Sequence, residues 1–342
     1  MGTHRATLPQ VADRAGVSLA SASRALHGSG ASKAMVEKVR VAAAELGYQA
    51  DATGRSLRLR RTFQIAFAVA DIGNPVYVEM MKALQGELAG RGYRLMVATT
   101  GDSAESTIEL VHGLSSGLVD GLVVSPLRVT DALVTALREA PVPVVVIGRS
   151  LEDSGLNSVS TDSAGGIGQA VAHIVALGRR RIGFLNGPAD TTPGSARRRG
   201  FDEAVEREGF SADLVDAETA GDFTVAAGRA GAQALLARHA GHRLDAIVAA
   251  NDLLAIGAIK AVRETGLHVP EDVAVTGMDD TEIGQVYQPS LTSVSLHSSE
   301  RGRRAAELML ALLDDPSSGP TNVFVAPELR VRESTCHEEE MA

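Results

Sequence analysis

The chain carries one cysteine, Cys336. That excludes a disulfide framework and a cysteine-based zinc site, and it suits a reducing compartment. No apolar run reaches the roughly 18 residues that a membrane span needs. Met1 to Arg5 lead into a polar stretch without the apolar core of an export signal, so a cytoplasmic location and no membrane partner are expected. The 35 glycines and 12 prolines follow no collagen-like period, and apolar residues make up 44% of the chain; fibre and disorder are both excluded. The nine histidines are scattered and no H-E-x-x-H or G-x-x-x-x-G-K-[ST] occurs. Gly165-Gly-Ile-Gly168 lacks the spacing of a dinucleotide fingerprint. Gly113-Leu-Ser-Ser-Gly117 fits G-x-S-x-G, but it closes a helical stretch and precedes a strand, the reverse of the nucleophile elbow. Neither an enzyme, a metal site nor a cofactor is expected.

What is present is uneven charge. The 342 residues suggest two or three domains at roughly 150 residues each. Residues 1–61 hold ten Lys/Arg against four Asp/Glu, which is +6; with a total of −9, the remainder carries −15. A small basic head on a large acidic body reads as two functions on one chain.

In the head, Thr7-Leu-Pro-Gln10 reads as a capped helix start, with Pro9 in the first turn. Gly16 stops that helix and Ser18 caps a second, Leu19 to about Leu26. Two short helices joined by a Gly-containing turn form a helix-turn-helix. A third helix runs from the Ser32 cap through Val36, Val39, Ala43 and Leu46 to Gly47. The second helix is expected in the DNA major groove, presenting Leu19, Ala20, Ser21 and Arg24. Arg24 suits a bidentate contact to guanine; Leu19 and Ala20 offer only apolar contact. A three-helix protein-interaction module fits the same pattern, but the charge bias favours DNA.

From Thr62 short apolar runs alternate with amphipathic stretches: Phe63–Ala70, Leu95–Ala98, Leu122–Val124 and Val142–Ile147. This predicts βαβ units and parallel sheets. The pattern then recurs. Arg181-Ile-Gly-Phe-Leu echoes Gln64-Ile-Ala-Phe-Ala, and Asp245-Ala-Ile-Val-Ala-Ala250 echoes Asp120-Gly-Leu-Val-Val-Ser125. Two similar lobes follow, with ligands bound between them outside the carboxyl ends of strands.

The segments Thr7-Leu-Pro-Gln-Val-Ala-Asp-Arg-Ala-Gly-Val-Ser18, Ser21-Ala-Ser-Arg-Ala-Leu26, Ala43-Ala-Glu-Leu-Gly-Tyr48 and Arg55-Ser-Leu57 resemble the lactose-repressor/galactose-repressor (LacI/GalR) family, from about residue 7 to residue 334. The resemblance implies an all-α helix-turn-helix headpiece (1–48), a hinge helix (49–61), and an α/β body of two periplasmic-binding-protein-like lobes with parallel sheets. The chain would cross between lobes near Thr161, Ser290 and Pro320. That gives an N-terminal lobe of 62–161 and 291–320 and a C-terminal lobe of 162–290 and 321–342. In the hinge, Leu57 matches the leucine that wedges into the minor groove and kinks the duplex; Arg55 joins the DNA contacts, as does Ser18 at the head of the second helix. Ala50-Asp51 and Gly54 depart from the family pattern, and Gly54 is expected to weaken the hinge helix by about 1 kcal/mol relative to alanine. A plain flexible linker is the other reading of this segment.

The resemblance also gives an effector site. Tyr77 matches an aromatic or apolar wall, Arg197 a ligand-bonding arginine, Phe223 a covering aromatic and Asp279 a ligand-binding aspartate. Ser125 and Asn251 join them at strand ends. Taken singly, Asn251 and Asp279 equally fit helix caps, and Phe223 fits the core. Where some sugar-responsive members carry an aspartate, this chain has Gly148-Arg149. If Arg149 faces the cleft it favours a sugar acid or sugar phosphate; a surface arginine is the commoner outcome. The expected protein is a homodimeric repressor of carbohydrate-utilisation genes on a pseudo-palindromic operator, controlled by a sugar-like effector. No heptad tail follows Ser334 to build a coiled-coil tetramer, and the sequence leaves dimer and tetramer both open.

Overall fold

Three short helices form the headpiece: α1 (Leu8–Ala15), α2 (Leu19–Leu26) and α3 (Lys33–Glu45). Their start signals act as local chemistry dictates. Gln10 Oε1 accepts from the Thr7 N–H at 2.8 Å, Ser18 Oγ from the Ser21 N–H at 3.2 Å and Ser32 Oγ from the Met35 N–H at 3.3 Å. Gly16 turns the chain at φ 61. Val11, Ala12, Ala15, Ala22, Ala25, Val39, Ala42 and Ala43 are the buried core. Leu46, expected inside, is exposed at the end of α3.

The computed structural model describes residues 6–26, 31–48, 61–101, 103–149, 151, 154–239 and 243–336. The chain divides into two compact units between Thr62 and Phe63. Arg55, Gly54 and Leu57 of the hinge lie outside the described residues.

The larger unit contains two sheets of six strands each. The first is built from β1 (Gln64–Val69), β2 (Arg94–Thr99), β3 (Gly121–Ser125), β4 (Val144–Gly148), β5 (Asn157–Ser160) and β11 (Asn322–Phe324), in the order β11-β5-β4-β3-β1-β2. The second has β6 (Ile182–Asn186), β7 (Val215–Thr219), β8 (Ala246–Ala249), β9 (Ala274–Met278), β10 (Thr292–Ser295) and β12 (Glu328–Arg330), in the order β12-β10-β9-β8-β6-β7. All pairings are parallel except β10 with β12. The internal echo read in the sequence is this repeat: β6 takes the place of β1, and β8 that of β3. In each lobe the order reverses between the first and third strands, the topological switch point where such sheets bind ligands.

Helices cover both faces. The N-terminal lobe has α4 (Pro75–Gly90), α5 (Ala104–Ser115), α6 (Asp131–Arg138) and α12 (Ser298–Asp314). Ile65, Phe67, Val123 and Val145 meet α4 and α12 on one side of its sheet, and Ala66, Leu122, Val124 and Val146 meet α5 and α6 on the other. The C-terminal lobe has α7 (Ser163–Ala176), α8 (Thr192–Arg207), α9 (Val225–Arg238), α10 (Asp252–Glu264) and the short α11 (Glu282–Val286), around one continuous apolar core. The G-x-S-x-G segment closes α5.

Two lobe boundaries need correction. β10 belongs to the C-terminal lobe, so the second crossing lies at residues 296–297, after Ser290. β11 lies in the N-terminal sheet and β12 in the other, so the third crossing falls at 325–327, past Pro320. The cause is the polar face of β10. Thr292-Ser-Val-Ser295 lacks apolar alternation because its hydroxyls are spent inside the protein: Thr292 Oγ1 pairs with Thr335 Oγ1 at 2.7 Å, and Ser293 Oγ donates to Asp252 at 2.5 Å. No helix among the described residues is long and apolar enough to cross a membrane.

Candidate functional site

A cavity of about 260 Å³ lies between the two lobes of the larger unit. That is just under the roughly 300 Å³ at which small-molecule sites usually begin. Its wall is assembled from the carboxyl ends of successive strands. Tyr77 follows β1, Ser125 ends β3, Arg149 follows β4, and Thr161 and Asp162 follow β5. Arg197 comes from the helix after β6, Phe223 follows β7, Asn251 β8, Asp279 β9 and Leu296 β10. All six residues selected from the sequence, Tyr77, Ser125, Arg197, Phe223, Asn251 and Asp279, line this one cavity. So does Arg149, exposed at its edge.

The charged centre is the pair Arg197–Asp279, with Arg197 Nη2 donating to Asp279 Oδ1 at 3.4 Å and both side chains buried. Asp279 is held at φ 108, a sparsely populated region for a non-glycine residue; its N–H is tied to the Val294 carbonyl at 2.9 Å. Burial pushes its carboxyl upward, and Arg197 and then Arg301 pull it back. Asp279 does not cap the following helix, whose N-cap is Thr281. Asn251 does cap: its Oδ1 accepts from the Leu254 N–H at 2.9 Å, and its Nδ2 reaches the Phe223 carbonyl at 3.4 Å. Phe223 packs on the C-terminal core and also lies under Arg197, whose Cζ sits 5.8 Å from the ring centroid. This packing depends on Gly187, where a Cβ would sit 2.1 Å from the Phe223 ring. Burial raises the Tyr77 hydroxyl, and the nearby Ser125 hydroxyl pulls it back. Arg198 and Arg199 form helix-surface ion pairs with Asp202 and Glu203.

Sequence reading missed Arg301. It lies in the first turn of α12, is buried, and lines the cavity. Its signal was there: Arg301, Ala305, Met309 and Leu312 share the helix face that the lobe buries, and an arginine on an apolar stripe is unexpected. Gly302 lets α12 close on α4, because a Cβ there would meet the Met80 carbonyl at 2.5 Å. Asp252, the residue after Asn251, was not singled out either. It is fully enclosed, accepting from the Thr281 N–H at 2.7 Å, the Thr281 hydroxyl at 2.8 Å and the Ser293 hydroxyl at 2.5 Å. Burial, and then the nearby Asp279 charge, push it up to about 7.

In the headpiece, Leu19 is half-exposed, and Ser18, Ala20 and Arg24 are exposed along the start and outer face of α2. Arg24 Nη2 reaches Ser21 Oγ at 3.4 Å. An apolar-and-arginine helix face of this kind matches the groove-reading element of a helix-turn-helix.

A helix-turn-helix unit carried on the same chain as a two-lobed body with an inter-lobe cavity defines a ligand-controlled transcriptional regulator. The chain belongs to the LacI family of bacterial regulatory proteins: that family's description matches residues 7–51, and a periplasmic binding protein-like domain matches residues 171–335. The HTH-type transcriptional regulator CelR of Thermobifida fusca is 35% identical over 341 residues, covering 96% of this chain and 98% of its own. The ribose operon repressor of Escherichia coli K12 is 29% identical, covering 96% and 99%. Among solved structures, the lac repressor dimer bound to operator and the anti-inducer ONPF superposes with a TM-score of 0.86 at 27% identity, covering 97% of this chain and all of that one. The CelR–cellobiose complex superposes with a TM-score of 0.71 at 34% identity, covering 96% and 100%.

Proposed function

We propose that this protein is a repressor of carbohydrate-utilisation genes, binding a pseudo-palindromic operator as a homodimer and controlled by a sugar-like effector held between its lobes. One observation carries the reading: six residues chosen from separate stretches of sequence converge on one inter-lobe cavity with a buried Arg197–Asp279 pair at its centre. Amide, carboxylate and guanidinium groups beside the Tyr77 and Phe223 rings suit a polyhydroxylated ring, and a buried polar site rejects molecules that lack matching hydroxyls. CelR, whose structure contains cellobiose, and the ribose operon repressors support the choice of a sugar. The similar proteins are regulators, and we assign the cavity binding without turnover.

On DNA, Leu19, Ala20, Ser21 and Arg24 read the major groove, with Ser18 at the helix start; Arg55 and Leu57 of the hinge are assigned to the operator centre from the sequence alone. The test is operator retention by gel shift with and without a panel of sugars, on the wild type and Arg24→Ala. A sugar that changes retention, and an Arg24→Ala loss of about 1–3 kcal/mol at one base position, are expected. Unaltered base preference would refute the groove assignment, and a sugar consumed during the assay would refute binding without turnover.

A further inference from the structure

The cavity is not electrically balanced. Among the described residues lining it, four arginines (Arg149, Arg197, Arg199 and Arg301) meet two aspartates, Asp162 and Asp279. Arg199 is engaged by Glu203, and Asp162 spends an oxygen capping α7 through the Gly165 N–H at 2.8 Å. The buried part is more lopsided. Asp279 is the only buried carboxylate in the wall, and it faces two buried guanidinium groups. Arg197 has the 3.4 Å contact to it. Arg301 forms no ion pair among the described residues, and the one hydrogen bond of its guanidinium there goes to Ser298 Oγ at 3.3 Å. The Nε atoms of both arginines, and Thr161 Oγ1 in the same wall, are buried with no hydrogen-bond partner. Asp252 does not repair the balance, since it is outside the wall and its oxygens are taken by Thr281 and Ser293.

A buried cation that has to share one buried carboxylate with a second cation is costly. The cost shows on Arg301, whose guanidinium is brought down to about 10, burial being the first cause and the neighbouring Arg197 adding to it, while Asp279 and, more weakly, Tyr77 and Glu79 pull the other way. Its position adds to the cost, because a cation in the first turn of a helix opposes the positive end of the helix dipole. Packing does not explain the choice. The neighbouring positions on that face are Ala305, Met309 and Leu312, and a methionine would fill the place without charge. An anion entering the cavity would meet two half-used arginine forks and the helix start together, the arrangement that favours carboxylate or phosphate.

Resting on the reading of this cavity as the effector site, we propose that the effector is an anionic polyol, a sugar acid or sugar phosphate, whose acid group is taken by Arg301 together with Arg197. Arg149, at the cavity edge and without an ion pair among the described residues, draws the anion in. Asp279 then holds hydroxyls on the same molecule and keeps the two arginines apart before it arrives.

Thermal shift on the full chain tests this at constant ionic strength, since ligand binding to the folded state raises its stability. The probes are neutral sugars (glucose, ribose, cellobiose), their acids (gluconate, glucuronate, ribonate), their phosphates (glucose 6-phosphate, ribose 5-phosphate), and acetate and inorganic phosphate as bare anionic groups. An acid or a phosphate is expected to bind at least about tenfold more tightly than its neutral parent, and the arm that responds tells carboxylate from phosphate. Arg301→Met is expected to melt no lower than the wild type without ligand and to lose the preference for the anion; Arg301→Gln serves if the methionine variant does not fold. A neutral sugar binding as well as its acid and phosphate overturns the anionic assignment and leaves the sugar-effector reading standing. Equal responses of wild type and variant to every anion, acetate and inorganic phosphate included, also overturn it. If no probe of any class shifts a chain that still binds its operator, both readings fall.

Discussion

The two lobes share a strand order and differ in what they bury. The C-terminal lobe wraps one continuous apolar core around a polar interior, and it holds Arg197, Asp252 and Asp279, three of the four buried charged side chains among the described residues. The N-terminal lobe sandwiches its sheet between two separate apolar clusters and contributes one buried charge, Arg301. One lobe therefore carries a prebuilt charged half-site, and the other supplies a wall, Tyr77 and a cation that meets the half-site only when the lobes are together. The sharpest way to break this asymmetry is Asp279→Ala against Tyr77→Phe. The first strands Arg197 beside Arg301 and is expected to cost about 3–5 kcal/mol of stability, with loss of the effector response. The second removes one hydroxyl from the cavity wall beside Ser125 and is expected to cost no more than about 1 kcal/mol. Urea unfolding and effector-dependent gel shift measure both; equal losses would mean that the charged half-site is not confined to one lobe.

The same asymmetry governs what could be read from the sequence. The repeat was legible because β1, β3, β6 and β8 are continuous apolar runs, the signature of strands buried on both faces. Ser125 and Asn251 were legible because strand ends announce themselves where such runs stop, whereas Tyr77, Arg197, Phe223 and Asp279 were legible only through the family motifs they match. β10 was not legible, since its threonine and serines are polar residues whose partners, Asp252 and Thr335, come from distant parts of the chain. Arg301 was missed for the opposite reason. It sits inside a helix whose pattern is otherwise ordinary, and its placement opposite Asp279 exists only after the chain has crossed back between lobes. The plainer role weighed for Asn251 turned out to coexist with the other, since one side chain caps α10 and lines the cavity.

A smaller effect probes the interior of the charged lobe by itself. Asp252 stands at about 7 in the folded chain against 3.8 for a free carboxyl. Between those two values the folded state keeps a proton that the unfolded state has lost. Stability from this group is therefore fully present below about pH 4 and declines as pH rises toward 7. Asp252→Asn removes the titration and is expected to flatten that decline, read as a narrower gap between urea midpoints measured near pH 5 and near pH 8. An unchanged gap would show that the pH dependence belongs to other groups and that burial at Asp252 is offset by its three hydrogen bonds.

The smallest effect is expected where the two lobes touch at the surface. Arg128, after β3, donates to Asp190 across the cleft at 2.8 Å, and beside it the Thr192 N–H donates to the Leu127 carbonyl at 2.7 Å. The Arg128–Asp190 pair is partly to well exposed, so water and salt screen most of its attraction. The buried half-site is screened far less. Arg128→Ala is therefore expected to speed effector release by no more than about fivefold at low salt, and the difference from wild type should vanish at about 1 M salt, where the Debye length shrinks to roughly 3 Å. Stopped-flow release measured at both ionic strengths decides it. A salt-independent loss as large as that of Asp279→Ala would place the energetic centre of the site at the lobe rim, against the division drawn between a charged lobe and a closing one.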